Sequence, residues 1–295
     1  MRRVPTCLAA VLLIAACALA MPARSERFAR GLLFEVSRDG VPPSYVFGTL
    51  HSNDPRALDV APPVRDALAR SRRLALENVL GGAQTPVFLE EAQYPDGRRL
   101  ADHFDVATID RIREALGSHA PSRDIFERLK PWAVLLLLGQ PVSDDATPAL
   151  DQQLAGEARS QHMRILGLEL PEEQAAALDA IAIPSQVALV HFALDKRNVL
   201  LADQERAIAA WLDRDLARLA DLAREPGRRD PKLAPHFAEL TRHLIDDRSV
   251  LMAHRLFLPL REGRLFVAVG ALHLYGEHGL LALIAAQGYR VRRLY

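Results

Sequence analysis

Two short segments near opposite ends of the chain follow one plan. Tyr45-Val46-Phe47 runs into Gly48-Thr49-Leu50-His51, and Leu265-Phe266-Val267-Ala268-Val269 runs into Gly270-Ala271-Leu272-His273. A short apolar run of this kind reads as a buried strand. Glycine at its end permits a turn, or lets a neighbouring backbone approach with no side chain between. The imidazole that follows is delivered at the strand's C-terminal edge, which is where open α/β sheets place their ligands. Two strands that end alike, more than two hundred residues apart, bind both ends of the chain into one fold and point to one site built by both.

The remaining pattern agrees with an α/β fold. Gly31 to Val36, the Asp39-Gly40 turn and Ser44 to Leu50 predict a hairpin. Pro62-Pro63 opens a helix to about Ser71, and Leu74-Ala75-Leu76-Glu77-Asn78-Val79 is a short strand that Gly81-Gly82 ends. Helical periodicity covers Ala107 to Leu116, Ile125 to Leu138 with a kink or start at Lys130-Pro131-Trp132, and Leu150 to Ser160. Arg164 to Glu169 is a strand with a carboxylate at its end, and Pro171-Glu172-Glu173 opens the next helix. Ser185 to Arg224 predicts two helices, Glu225-Pro226-Gly227 a break, and Ala234 to Leu260 a further helix. Helix Gly276 to Ala286 and strand Tyr289 to Leu294 complete the chain. The expected architecture is a mixed sheet built from the N- and C-terminal parts, with a large helical middle segment over it.

The first twenty residues read as a signal peptide. Arg2 and Arg3 are its basic start, Leu8 to Ala18 its apolar stretch, and Ala18-Leu19-Ala20 fits cleavage after Ala20. Ile14-Ala15-Ala16-Cys17 also resembles a lipobox, in which Cys17 carries lipid. We favour simple cleavage, because leucine is the commoner residue where Ile14 stands. Either form places the protein outside the cytoplasm, periplasmic or lipid-anchored in the envelope. The membrane is then engaged only through that leader or anchor.

The only cysteines are Cys7 and Cys17, so the domain over residues 27–295 has no disulfide, thiolate nucleophile or thiolate ligand. Any metal must be held by His, Asp, Glu or backbone oxygen. Lys plus Arg and Asp plus Glu are 37 each, and no long basic stripe marks a nucleic-acid partner. No Gly-x-Ser-x-Gly elbow surrounds Ser52, which argues against a serine hydrolase.

His51 and His273 are candidate metal ligands, or else buried histidines bonded to backbone carbonyls. Glu77 closes an apolar strand, where a carboxylate needs a cation, either a metal or an arginine such as Arg248. Glu169 stands in the same context, as a second site carboxylate or as a helix-start acid before Pro171. Asp151 is either a helix N-terminal acid or a group supporting a ligand. Arg248 either forms a structural ion pair or steadies a developing oxyanion. Of the other histidines, only His278 is retained, for its nearness to the second motif.

Taken in order, these landmarks resemble the TraB/GumN family, which includes the Tiki proteases of animals. The resemblance runs through Tyr45-Val46-Phe47-Gly48-Thr49-Leu50-His51, Leu74-Ala75-Leu76-Glu77, Lys130-Pro131-Trp132, Leu150-Asp151-Gln152-Gln153-Leu154, Leu166-Gly167-Leu168-Glu169 and Gly270-Ala271-Leu272-His273. It covers nearly all of the chain beyond the leader. Ser249 stands where the family usually has asparagine after arginine, and Leu272 where glycine is frequent. The resemblance implies a fold like that of erythromycin esterases and haem-binding ChaN-like proteins. It also implies a metal-dependent, peptidase-like hydrolase in which His51, Glu77 and His273 hold one divalent ion (Zn, Mn or Co). Glu169 or Glu77 would be the base and Arg248 the oxyanion partner, acting on a peptide or another envelope substrate. Two other expectations stay open: a non-catalytic binder of haem, metal or glycan, and an accessory of envelope polysaccharide export.

Overall fold

In the computed structural model the described residues are 26–52, 54–78, 84–139 and 148–295. The leader with Cys7, Cys17 and the Ala20 cleavage point, and the Gly81-Gly82 stop, lie outside them. Strands β1 (Leu33–Arg38) and β2 (Val41–Thr49) form the expected antiparallel hairpin, with Gly40 at φ 75° in its turn. After helices α1 (Pro55–Leu58) and α2 (Pro62–Ala69) comes β3 (Arg73–Leu76). The middle of the chain supplies α3 (Gln84–Glu91), α4 (Val106–Leu116), α5 (Arg123–Arg128), α6 (Pro131–Gly139) and α7 (Leu150–Ser160). Strand β4 (Arg164–Gly167) leads to α8 (Pro171–Asp179), α9 (Ile183–Asp195), α10 (Arg197–Leu212), α11 (Leu216–Arg229) and α12 (Ala234–Thr241). A π-helical turn, Arg242–Asp247, joins α12 to α13 (Arg248–Glu262). Strand β5 (Leu265–Gly270), α14 (Leu280–Ala286) and β6 (Arg290–Arg293) close the fold.

The sheet order is β4-β3-β5-β2-β1-β6. The four strands β4, β3, β5 and β2 are parallel, and β1 and β6 are antiparallel. Strand β5, from the last quarter of the chain, is therefore threaded between β2 and β3. All six residues of β5 are buried, as a central parallel strand covered on both faces requires. Phe47 of β2 and Phe266 of β5 meet with ring centroids 6.2 Å apart, and Trp211 of α10 covers Phe47 and donates its indole N–H to the Gly48 carbonyl at 2.9 Å. A second core, around Ile112, Phe126, Trp132 and Val190, lies within the helical middle.

Lys130-Pro131-Trp132 is a helix start rather than a kink, with proline opening α6. Its neighbours fasten α6 to α8: the Trp132 indole N–H and Lys130 Nζ both donate to Asp179, each at 2.6 Å. Three expectations need correction. Strand β4 comes from the middle of the chain and forms one sheet edge. The stretch from Ser185 to Arg224 holds parts of three helices, α9, α10 and α11, with Arg214 at φ 57° in the turn before the last. Glu225-Pro226-Gly227 does not break the chain, for α11 runs through it. Tight packing holds it there: a Cβ on Gly227 would lie 3.1 Å from Ala234 Cα, so α12 presses directly on that turn.

Candidate functional site

The four parallel strands all point their C-terminal ends to one edge, and each delivers part of the site. Leu168 and Glu169 extend the ladder beyond β4, their N–H groups donating to Leu76 O at 2.8 Å and Glu77 O at 2.7 Å. Glu77 turns its side chain toward β5, where Oε1 accepts the Gly270 N–H at 2.6 Å. Gly270 leaves the centre open: a Cβ there would lie 3.0 Å from His51 Nε2 and 3.1 Å from Glu77 Oε1. At Gly48 a Cβ would lie 2.8 Å from Leu274 Cδ1 and 3.1 Å from Ala271 Cα, so the two motifs pack on each other. Neither glycine has a positive φ, and close approach is the reason for both.

The two imidazoles are not presented alike. Gly48 pairs with Val269 and Thr49 with Gly270, so the motifs are staggered by one residue. His273 sits in a 3-10 turn, 3% exposed, whereas His51 lies in the loop after β2 with its side chain 60% exposed. Their nitrogens nonetheless converge: His51 Nε2 is 3.4 Å and His273 Nε2 3.6 Å from Glu77 Oε1.

The outer nitrogen of each ring fixes what the inner one offers. Ser249 has a single hydroxyl hydrogen, and Oγ donates it to the Ile245 carbonyl at 2.6 Å. The 2.9 Å contact between Ser249 Oγ and His273 Nδ1 must then be donated by the ring. A neutral His273 consequently aims an unprotonated Nε2 at the Glu77 carboxylate. His51 Nδ1 lies 2.9 Å from Asp151 Oδ2, and Asp151 is steadied by Thr49 Oγ1–H at 2.7 Å. Burial holds the His273 pKa below the ordinary imidazole value. At His51, whose ring is more exposed, partial desolvation works in the same direction. Hydrogen bonds to Asp151 and Glu77 outweigh it, and the pKa stands well above the ordinary value. Burial would raise the Glu77 pKa, but His273, His51 and Arg248 prevail and hold it well below the usual carboxylate range.

Arg248, in the first turn of α13, joins the carboxylates. Its Nε and Nη2 donate to Glu169 at 2.9 and 2.6 Å, Nη2 also donates to Glu77 Oε2 at 2.8 Å, and Nη1 donates to the Leu244 carbonyl at 3.2 Å. The Glu169 side chain is wholly buried. The helix-start task belongs to Glu173, whose Oε2 accepts the Leu170 N–H at 2.8 Å. Thus Glu77, Glu169, Asp151, Arg248, His51 and His273 are brought together, and His278 is not: its exposed ring lies 4.0 Å from Asp246. Sequence reasoning missed the parts played by Ser249 and Thr49 and the Gly270 N–H.

Three carboxylates face one guanidinium here, and even with His51 protonated the centre keeps a surplus of negative charge. Tetrahedral zinc with N and O ligands sets its donors about 3.3–3.6 Å apart, and the two Nε2-to-Oε1 separations of 3.4 and 3.6 Å match. Among the described residues, however, no group of three or more His, Cys, Asp and Glu is placed to hold a metal ion. The donor chemistry fits a divalent cation, in an open arrangement whose exposed member is His51.

The model of the TraB/PrgY/gumN family matches residues 32–293, from β1 to β6. The chain belongs to the TraB/PrgY/gumN family. Among its relatives is the metalloprotease TIKI2 of Danio rerio, 26% identical across 90% of this chain. The chain spans 61% of that relative's length. The uncharacterized protein YbaP of Shigella flexneri is 25% identical, over 80% of this chain and 86% of its own. YbaP of Escherichia coli is likewise 25% identical, over 80% and 85%. No solved structure matches the chain.

Proposed function

We propose that the chain is an exported, metal-dependent hydrolase of the peptidase type, with His51, Glu77 and His273 as the residues that would hold the ion. One observation carries this reading. The Ser249 bond obliges a neutral His273 to direct a lone pair at a buried carboxylate, an arrangement of two acceptors that calls for a cation between them. Support also comes from the relative named a metalloprotease and from the surplus of negative charge at the centre. A bound divalent ion supplies polarisation of a scissile carbonyl and acidification of water.

The chain's own residues prepare that chemistry. Asp151 and Ser249 hold the rings by Nδ1 and so keep each Nε2 turned inward. Without the ion, His51 Nε2 keeps a proton toward Glu77 Oε1. Every Arg248 nitrogen donates to a neighbour, Glu77 and Glu169 among them, which makes it a positioning residue for Glu77. Glu169, buried and bonded to Arg248, secures that guanidinium and is removed from the role of base.

Elemental analysis of the purified protein, beside His51→Ala and His273→Ala, tests the reading. One ion per chain in the parent and none in either variant is the expected result. Absence of metal in the parent after exposure to Zn²⁺, Mn²⁺ and Co²⁺ would remove it.

A further inference from the structure

The edge of the sheet opposite the site has a character of its own. Three neighbouring parallel strands, β4, β3 and β5, are entered through an exposed arginine: Arg164 is the first residue of β4, and Arg72 and Arg264 stand immediately before β3 and β5. They lie side by side. Arg164 is the register partner of Arg73, and the Arg72 N–H donates to the Arg264 carbonyl at 2.9 Å. Among the described residues none of the three side chains pairs with a carboxylate. Arg70, Arg159 and Arg261, at the ends of the helices entering this edge, are exposed too and have no acidic partner among the described residues. Glu262 and Asp39, in the turns there, are already taken by Arg73 and Arg290.

Cations at helix C-termini complement the backbone dipole, which accounts for Arg70, Arg159 and Arg261. It does not account for arginines at the entrance to three adjacent strands. Arg264 even adopts φ 53°, a region that disfavours side chains.

The same edge exposes apolar groups. Leu258 is 65% and Phe257 41% exposed in the last turns of α13, with Phe257 under the Arg261 guanidinium at 5.6 Å. Exposed Pro42 and Pro43 adjoin the turn, where the Pro43 carbonyl accepts the Arg264 N–H at 3.1 Å. A nucleic acid or an acidic protein would be met by the arginines alone. Apolar side chains interleaved with unpaired guanidiniums match a lipid surface, which takes up the first and attracts the second.

We propose that this edge docks the protein on anionic membrane lipid, by the side chains of Arg72, Arg164 and Arg264 with Leu258 and Phe257 inserted between headgroups. This contact is separate from the leader and independent of any metal. It holds the site, at the other ends of the strands, facing away from the bilayer.

The test is flotation of the full chain with vesicles of phosphatidylcholine alone or mixed with phosphatidylglycerol. The apolar leader is common to every protein compared, so differences between variants report the patch. The parent is expected to favour the anionic vesicles, and increasingly so as salt is lowered. Arg72→Gln with Arg164→Gln should weaken that binding about 25-fold, from roughly five-fold per arginine. Leu258→Ser should weaken it with no charge altered. Should the double variant prove unstable to heat, Arg261→Gln serves in its place and should lose about five-fold. Equal binding to neutral and anionic vesicles, or variants that bind like the parent, would overturn the proposal. So would loss through the arginines with Leu258→Ser and Phe257→Ser both silent, since that result describes a soluble polyanion as partner.

Discussion

Ser249 has one hydrogen to give, and spending it on Ile245 decides the state of a histidine twenty-four positions along the chain. Removing the hydroxyl leaves the buried His273 Nδ1 without a partner. Ser249→Ala should therefore lower divalent-metal affinity about 10–100-fold, as read by titration against a competing chelator. Gly270→Ala puts a methyl between His51 Nε2 and Glu77 Oε1, and metal stoichiometry in that variant should fall to zero. Arg248→Gln strips the counter-ion from two buried carboxylates, and urea unfolding of the metal-free protein should show a loss of about 3–5 kcal/mol. The histidines and carboxylates were legible from sequence because each follows an apolar strand, and strand ends in a parallel sheet share an edge. Ser249 was visible only as a departure from asparagine. Its bond to His273 depends on the phase of α13 against the 271–273 turn, which no local pattern records.

At the scale of elements, prolines at helix starts were legible because the ring fixes φ and needs no donor there; α2, α6 and α8 all begin at proline in the structure. Pro226 misled for the complementary reason, since tertiary packing against α12 overrides its local preference. The start of α8 carries a pH-dependent joint. Arg255 donates to both Glu173 oxygens at 2.6 and 2.5 Å, and to the Leu168 carbonyl at 2.7 Å. The Arg255 hydrogen bonds, with the Leu170 N–H, hold the Glu173 pKa below its ordinary value against burial. A carboxylate so depressed stabilises the fold above its unfolded pKa, and the contribution disappears as pH falls through the folded value. Melting temperature should thus drop less steeply between about pH 5 and pH 2 in Glu173→Gln than in the parent.

For the molecule as a whole, the α/β class and the membership of both chain ends in one sheet were legible from the paired motifs, while the position of β4 was not. Arg164 to Glu169 was legible as a strand, but a four-residue edge strand carries no local mark of the neighbour it pairs with. The order β3-β5-β2 has a temporal side. β2 and β3 emerge early in synthesis, yet each lacks its neighbour until residues near 265 arrive, and their facing edges stay unsatisfied until then. A chain ending before Leu265 should show helical circular dichroism without the dispersed methyl signals of a packed sheet, by NMR. Since the insertion of β5 is also what brings His273 to Glu77, no product that stops short of it holds the complete centre. Assembly of the centre is thus postponed until β5, the fifth of the six strands, is in place.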